Sequence, residues 1–179
     1  HNNLGITEIG GPVDLPEERW DRLMDVNVKS MFLACKYVLP IMEAQGSGVV
    51  TNISSISAER YAGFPSVVYN TAKGAVKQFT QNVAMEYARK GIRANCVQPG
   101  LVDTPLVHTF KDAYAGDWDE VVRHRHAMAP MGRMGTAWDI AKAAVFLASD
   151  DAAYITGISL PVDGGLSGIF TTPTEMPDS

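Results

Sequence analysis

Cysteine is scarce in this chain. Cys35 and Cys96 are the only two in 179 residues, they lie in separate apolar segments, and their spacing matches neither a metal site nor a disulfide framework. Free, buried thiols in a reducing, cytoplasmic setting are therefore expected. Positive charge is also short. The net charge of −5 gives no electrostatic basis for binding nucleic acid or an anionic membrane. No apolar run approaches the roughly 20 residues that cross a bilayer, and HNNLGITEIGG has neither the basic nor the apolar region of a signal peptide. There is no GxGxxG, no GxxxxGK[ST] and no GxSxG. Without that last elbow, and with His124 and His126 expected to face solvent, Ser54 and Ser55 do not make a hydrolase. Two histidines alternating in VVRHRHAM do not make a metal site either, and no metal is expected. Repeats and low-complexity tracts are absent, and only the tail, residues 170–179, reads as loosely held.

What is present is an ordinary globular composition, 46% hydrophobic and 20% charged, sized for one domain over 1–179. Apolar residues recur at helical spacing from Leu15 to Glu43, with Asp14 placed to cap and Pro16 and Glu17 suited to the first turn. VVTNIS (49–54) reads as a buried strand, and a long helix follows from about Ser66 to Arg89 until Lys90-Gly91 stop it. IRANCVQPG (92–100) reads as the next strand. Residues 103–134 show no clean period and are expected to form a long loop with short helical pieces. Thr136 caps a third helix to Ser149, and SLPVDGG (159–165) is a last strand. Strands alternating with helices imply a parallel sheet covered on both faces. Three strands, plus HNNLG as the end of a fourth, look like the second half of a doubly wound domain, since a raw apolar sheet edge is unstable.

Within VVYNTAKGAV (67–76), Tyr69 and Lys73 stand four apart on one helix face. A phenol with an ordinary pKa of about 10 is a poor base near neutral pH. A neighbouring ammonium favours the phenolate and is expected to lower that value, so the phenol could exchange a proton with a substrate oxygen. Thr71, Ala72, Gly74 and Ala75 are small enough for a flat ligand to lie close. Ser54-Ser55 end a strand at the carboxyl edge of the sheet, where ligands bind in open α/β folds. Asn27 sits mid-helix between valines, where a buried amide needs partners. Pro99-Gly100 close another strand, with Val102 and Thr104 just beyond. Each residue taken singly also has a plain structural explanation: a packing pair, a turn, a solvent-facing amide.

Together, HNNLG, MDVNVKSMFL, VVTNISS, YNTAK, GIRANCVQPGLVDT and ITGISLPVDGG resemble, in order and spacing, the short-chain dehydrogenases/reductases over essentially the whole chain. The resemblance implies a Rossmann-type α/β fold, here the C-terminal portion of a three-layer α/β/α domain. It also implies NAD- or NADP-dependent interconversion of a small-molecule alcohol and carbonyl. It makes Tyr69 the acid/base, Lys73 the ribose-binding lysine that lowers the tyrosine pKa, Ser55 the substrate-orienting serine, and Asn27 the holder of a relay water. Asn2 and Gly5 then fall in the cofactor-contacting NNAG-like segment, while Pro99, Gly100, Val102 and Thr104 fall beside the nicotinamide carboxamide. Leu4 stands where the motif has alanine, which is expected to crowd the adenosine side. The family's TGxxxGxG region and its NAD/NADP selector are not among these residues. The choice of dinucleotide stays open, and a chain beginning at His1 is expected to bind it poorly.

Residues 103–134 are expected to cover the substrate as a lid, with Leu106, His108 and Phe110 as wall residues and Tyr61, Phe64 and Met134 adding apolar surface. The resemblance further implies a homotetramer, or a dimer, built on the two long helices, through Met31, Cys35, Val38 and Met42 on one and Val76, Phe79, Val83, Ala84 and Tyr87 on the other. The alternatives are a catalytically silent fragment acting only through oligomer contacts and an epimerase or dehydratase sharing YxxxK. The short stretch after VDGG disfavours the second of these.

Overall fold

The structure is a computed structural model that describes residues 1–61, 63–108 and 117–169. Helix α1 (Glu17–Met24) runs through a π-helical turn (Asp25–Lys29) into α2 (Ser30–Gln45), which ends on left-handed Gly46. Strand β1 (Gly48–Ile53) follows, then α3 (Val67–Tyr87) and β2 (Ile92–Pro99). Between α3 and β2, Gly91 (φ 76°) approaches Gly46 so closely that a Cβ would meet its carbonyl oxygen at 2.0 Å, so no other residue fits the turn. Next come β3 (Val102–Asp103), α4 (Pro105–His108), α5 (Trp118–Met128), β4 (Gly135–Thr136), α6 (Ala137–Ala148) and β5 (Ser159–Val162).

The main sheet is parallel in the order β1-β2-β5, with Gly48 opposite Ile92 and Cys96 opposite Ser159. Asn2 adds an isolated parallel bridge to Asn52, which sets the HNNLG segment beside β1, where the end of a fourth strand was expected. A short β3-β4 pair stands apart.

The two faces of β2 separate the layers. Ala94 and Cys96 pack against α2 and α3, with Cys35, Leu39, Val76, Val83 and Ala84. Val97 packs on the other face against Ala144 and Leu147 of α6. That alternation is the period-2 signature of a strand buried on both sides. Arg93, on the α6 face, donates to the carbonyls of Leu147 (2.8 Å) and Ser149 (2.9 Å) and so satisfies the orphan acceptors at the end of α6. At the other end, Thr136 and Asp139 form a reciprocal capping box. Both cysteines are free and buried, and burial raises their pKa values.

Several expectations need correction. The N-cap of α1 is Pro16, not Asp14; no side chain caps this end, and the amides of Arg19 and Trp20 turn to the Pro16 carbonyl instead. Trp118–Met128 is an eleven-residue helix, where a loop with short helical pieces was expected. Met31, Cys35, Val76, Val83 and Ala84, expected at an oligomer contact, lie in the core, and Phe79 packs against it. The exposed apolar residues of α2 are Phe32, Leu33, Tyr37, Val38 and Ile41. No helix among the described residues is long and apolar enough to cross a membrane.

Candidate active site

The carboxyl end of β1 and the middle of α3 are laced together in both directions. Ser54 Oγ donates to the Lys73 carbonyl (2.7 Å), and Lys73 Nζ donates to the Ile53 carbonyl (2.9 Å). Lys73 is buried, and burial brings its pKa down to about 8. Two of its three ammonium hydrogens remain for other acceptors. One turn earlier on α3, the Tyr69 ring centroid lies 5.6 Å from Lys73 Nζ. Ser55 is buried beside the phenol, its hydroxyl accepting from the Ser57 amide (3.1 Å).

Asn27 lies in the π turn, 3% exposed, and grips the backbone of Ile6: Oδ1 accepts from its amide and Nδ2 donates to its carbonyl, both at 2.9 Å. Gly5 is wedged in the same place. A Cβ on it would stand 2.9 Å from Asn27 Oδ1 and 3.4 Å from Lys73 Nζ. Three elements far apart in sequence therefore meet at Gly5, Asn27 and Lys73. Asn2 is tied elsewhere, in a buried polar chain that runs from its Nδ2 to Asn52 Oδ1 (2.8 Å) and from Asn52 Nδ2 to Thr80 Oγ1 (2.8 Å). Its neighbour Asn3, not singled out in the sequence, lines the cavity instead.

That cavity has a volume of about 1360 Å³. A pocket for one drug-sized ligand is typically about 300–1,000 Å³, so there is room here for two molecules side by side. Tyr69, Lys73, Ser55, Gly5, Pro99, Gly100, Val102 and Thr104 all line it. Gly100 packs directly against Asp163, where a Cβ would meet Asp163 Cβ at 2.6 Å, which holds the loop after β2 in place.

The electrostatics of the pair differ from expectation. Burial pushes the Tyr69 phenol above its ordinary value, and the Ser55 hydroxyl pulls only partly against it. The expected lowering by Lys73 does not prevail, because burial dominates the shift of the phenol.

Leu106, Tyr61 and Phe64 line the cavity as expected. Met134 does not line it; it is buried, and its amide donates to His126 Nδ1 (3.0 Å). His126 is thus half-buried rather than solvent-facing, while exposed His124 borders the cavity. The backbone of His108 ends α4; its side chain and Phe110 lie outside the described residues, as does the 170–179 tail. The 103–134 segment expected to cover the substrate includes α5, but its cavity-lining residues Glu120, Val121, His124, Arg125 and Met128 were not singled out in the sequence. Their helical spacing after the capping residue Asp117, whose side chain accepts from the Asp119 amide, is the signal that could have found them.

Comparison with known proteins settles the family. A family model described as Enoyl-(Acyl carrier protein) reductase matches residues 1–167. A 2-(R)-hydroxypropyl-CoM dehydrogenase of Xanthobacter autotrophicus (strain ATCC BAA-1158 / Py2) is 41% identical, over 94% of this chain and 66% of that one. The chain belongs to the short-chain dehydrogenase/reductase family. A solved Burkholderia xenovorans structure assigned to that family superposes with a TM-score of 0.91 at 45% identity, covering 95% of this chain and 65% of the other. An Agrobacterium tumefaciens structure with bound NADP, described as a 2-deoxy-d-gluconate 3-dehydrogenase, does so at 0.85 and 35% identity, covering 94% and 66%. The chain thus spans about two thirds of the length of these family members. The Rossmann-type α/β fold expected from the sequence is the fold of this family.

Proposed function

We propose that this chain forms the catalytic part of an NAD- or NADP-dependent oxidoreductase that interconverts an alcohol and a carbonyl compound. The observation that carries the reading is the convergence of Ser55, Tyr69 and Lys73 on one cavity wall, with Gly5 lying between Asn27 and Lys73. The bound dinucleotide supplies hydride transfer to or from the reacting carbon. The cavity suits it on three counts: its size, the two free hydrogens of the buried Lys73 ammonium for ribose hydroxyls, and the polar backbone and hydroxyl of the Pro99–Thr104 loop for an amide.

Tyr69 stays protonated at neutral pH, because burial holds its pKa up. In carbonyl reduction its O–H gives a proton to the substrate oxygen as that oxygen gains charge. In alcohol oxidation the phenolate takes the hydroxyl proton back. Ser55 donates a hydrogen bond to the same oxygen, and Lys73 holds the cofactor ribose and favours the phenolate. Asn27 positions the Gly5–Ile6 segment against Lys73. Within 103–134, the described helices α4 and α5 border the substrate side of the cavity. The chain also self-associates, as a dimer or tetramer, through two separate exposed apolar faces, one on α2 and one at Trp138, Val145 and Phe146 of α6.

The test is Tyr69→Phe in the full-length protein. It keeps the ring and removes the transferable proton, so turnover should drop by at least ~10². Near-normal turnover would remove Tyr69 from the chemistry.

A further inference from the structure

Among the described residues, two buried side-chain polar atoms lack a hydrogen-bond partner, Asn70 Oδ1 and Arg125 Nε. Both residues line the same cavity. Buried polar groups in folded proteins are almost always satisfied, so two exceptions bordering one cavity leave hydrogen-bonding capacity there that the protein's own groups do not use.

Arg125 is the more informative of the two. On α5 its neighbours at i−4, i−3, i+3 and i+4 are Val121, Val122, Met128 and Ala129. All are apolar, so the helix offers its guanidinium no carboxylate. Arg123, two positions earlier, has Asp119 and Glu120 at those distances. Among the described residues the cavity wall carries other charged groups, including Lys73, which donates to the Ile53 carbonyl beside Tyr69. Arg60 donates to the Ser167 carbonyl (3.0 Å), Asp117 caps α5, and Glu120 is exposed. A guanidinium that is partly desolvated and flanked by Val121 and Met128 attracts an anion strongly, and its planar fork matches two oxygens at once.

We infer that the substrate carries an oxyanion, a carboxylate or a phosphate, remote from the reacting carbon, and that Arg125 receives it. The inference rests on the oxidoreductase reading above, since it makes this cavity the substrate site. The substrate then spans from Tyr69 on α3 to Arg125 on α5. Arg125 fixes which end points inward and discriminates against neutral analogues, whose binding leaves the guanidinium unpaired.

The test uses matched ketones: levulinate against methyl levulinate, and acetol phosphate against acetol. Affinity is read by ligand-observed NMR and turnover by dinucleotide absorbance, on the full-length protein. The anionic member of at least one pair should bind at least tenfold more tightly than its neutral counterpart, and whichever pair shows the larger ratio identifies the oxyanion. Arg125→Met should cut that ratio at least tenfold, and Arg125→Lys should restore part of it. Equal affinity for both members of each pair in the wild type overturns the proposal, as does a ratio that Arg125→Met leaves unchanged. A binding preference that Arg125→Met abolishes, in a protein that turns over none of the four, supports the anion site and leaves the oxidoreductase reading to the Tyr69→Phe test.

Discussion

Asn27 grips Ile6 at both its amide and its carbonyl, so a side chain from a helical turn acts as the backbone partner of a loop. The asparagine commits one acceptor site and one amide hydrogen to holding the Gly5–Ile6 segment beside Lys73. Replacing Asn27 with alanine leaves two part-buried backbone groups to find other partners, at a cost of up to about 1–3 kcal/mol each where they stay unsatisfied. The urea midpoint of Asn27→Ala should fall accordingly. Gly5→Ala should fall as well, because its Cβ would press on Asn27 Oδ1 at 2.9 Å. A midpoint within error of wild type for both variants would contradict this account of the junction.

Lys73 supplies a pH test of stability. Its folded pKa of about 8 lies below the ordinary 10.5, so between those values the unfolded chain binds more protons than the folded one. Stability contributed by this group is lowest below about pH 8 and rises as the pH climbs toward 10.5. Without cofactor, wild type should therefore gain stability relative to Lys73→Met between about pH 7 and pH 9.5. Parallel stability curves for the two proteins would show that the buried ammonium is not strained.

Tyr69 predicts how the two reaction directions divide. A phenol held above its ordinary pKa is an acid at neutral pH. Reduction, which uses that proton, should run well near neutrality, whereas oxidation, which needs the phenolate, should accelerate as pH rises beyond it. Initial rates in both directions across that range check this. Oxidation that slows with rising alkalinity, in a protein that remains folded, would be the contrary result.

Assembly is probed at different residues from those the sequence suggested. Phe79 packs into the α2–α3 core, so Phe79→Asp should unfold or aggregate the protein, at a cost above about 3 kcal/mol. Ile41, 58% exposed on α2, can carry a charge without disturbing the core. Ile41→Asp should keep the melting temperature of the protomer and lower the mass seen by light scattering. An unchanged mass would take this face of α2 out of the interface.

The fold was legible where the pattern was strong. The periodicity of Leu15–Glu43 and Ser66–Arg89, the Gly91 stop and the Thr136 cap correspond to α1–α2, α3 and α6, and their spacing gave a parallel sheet. The cavity wall formed by Ser55, Tyr69, Lys73 and the Pro99–Thr104 loop was legible because β1 and β2 end at the same sheet edge and Tyr69 and Lys73 share one face of α3 four residues apart. Tertiary outcomes were not. No local rule reveals that α2 and α3 turn Cys35, Val76 and Val83 toward the sheet rather than toward a partner. Helix α5 buries no residue of its own, so it lacks the apolar stripe by which helices announce themselves. The Tyr69 shift depends on burial, which a four-residue spacing does not encode.

The two hydrogen bonds that cross between β1 and α3 at Ser54, Ile53 and Lys73 fix the helix in rotation and in register. Tyr69, on the same rigid helix, inherits that setting. Helix α5 carries Arg125 with no buried anchor. Changes of sequence on α5 can therefore reshape that wall of the cavity while leaving the setting of Tyr69 and Lys73 on the opposite element untouched.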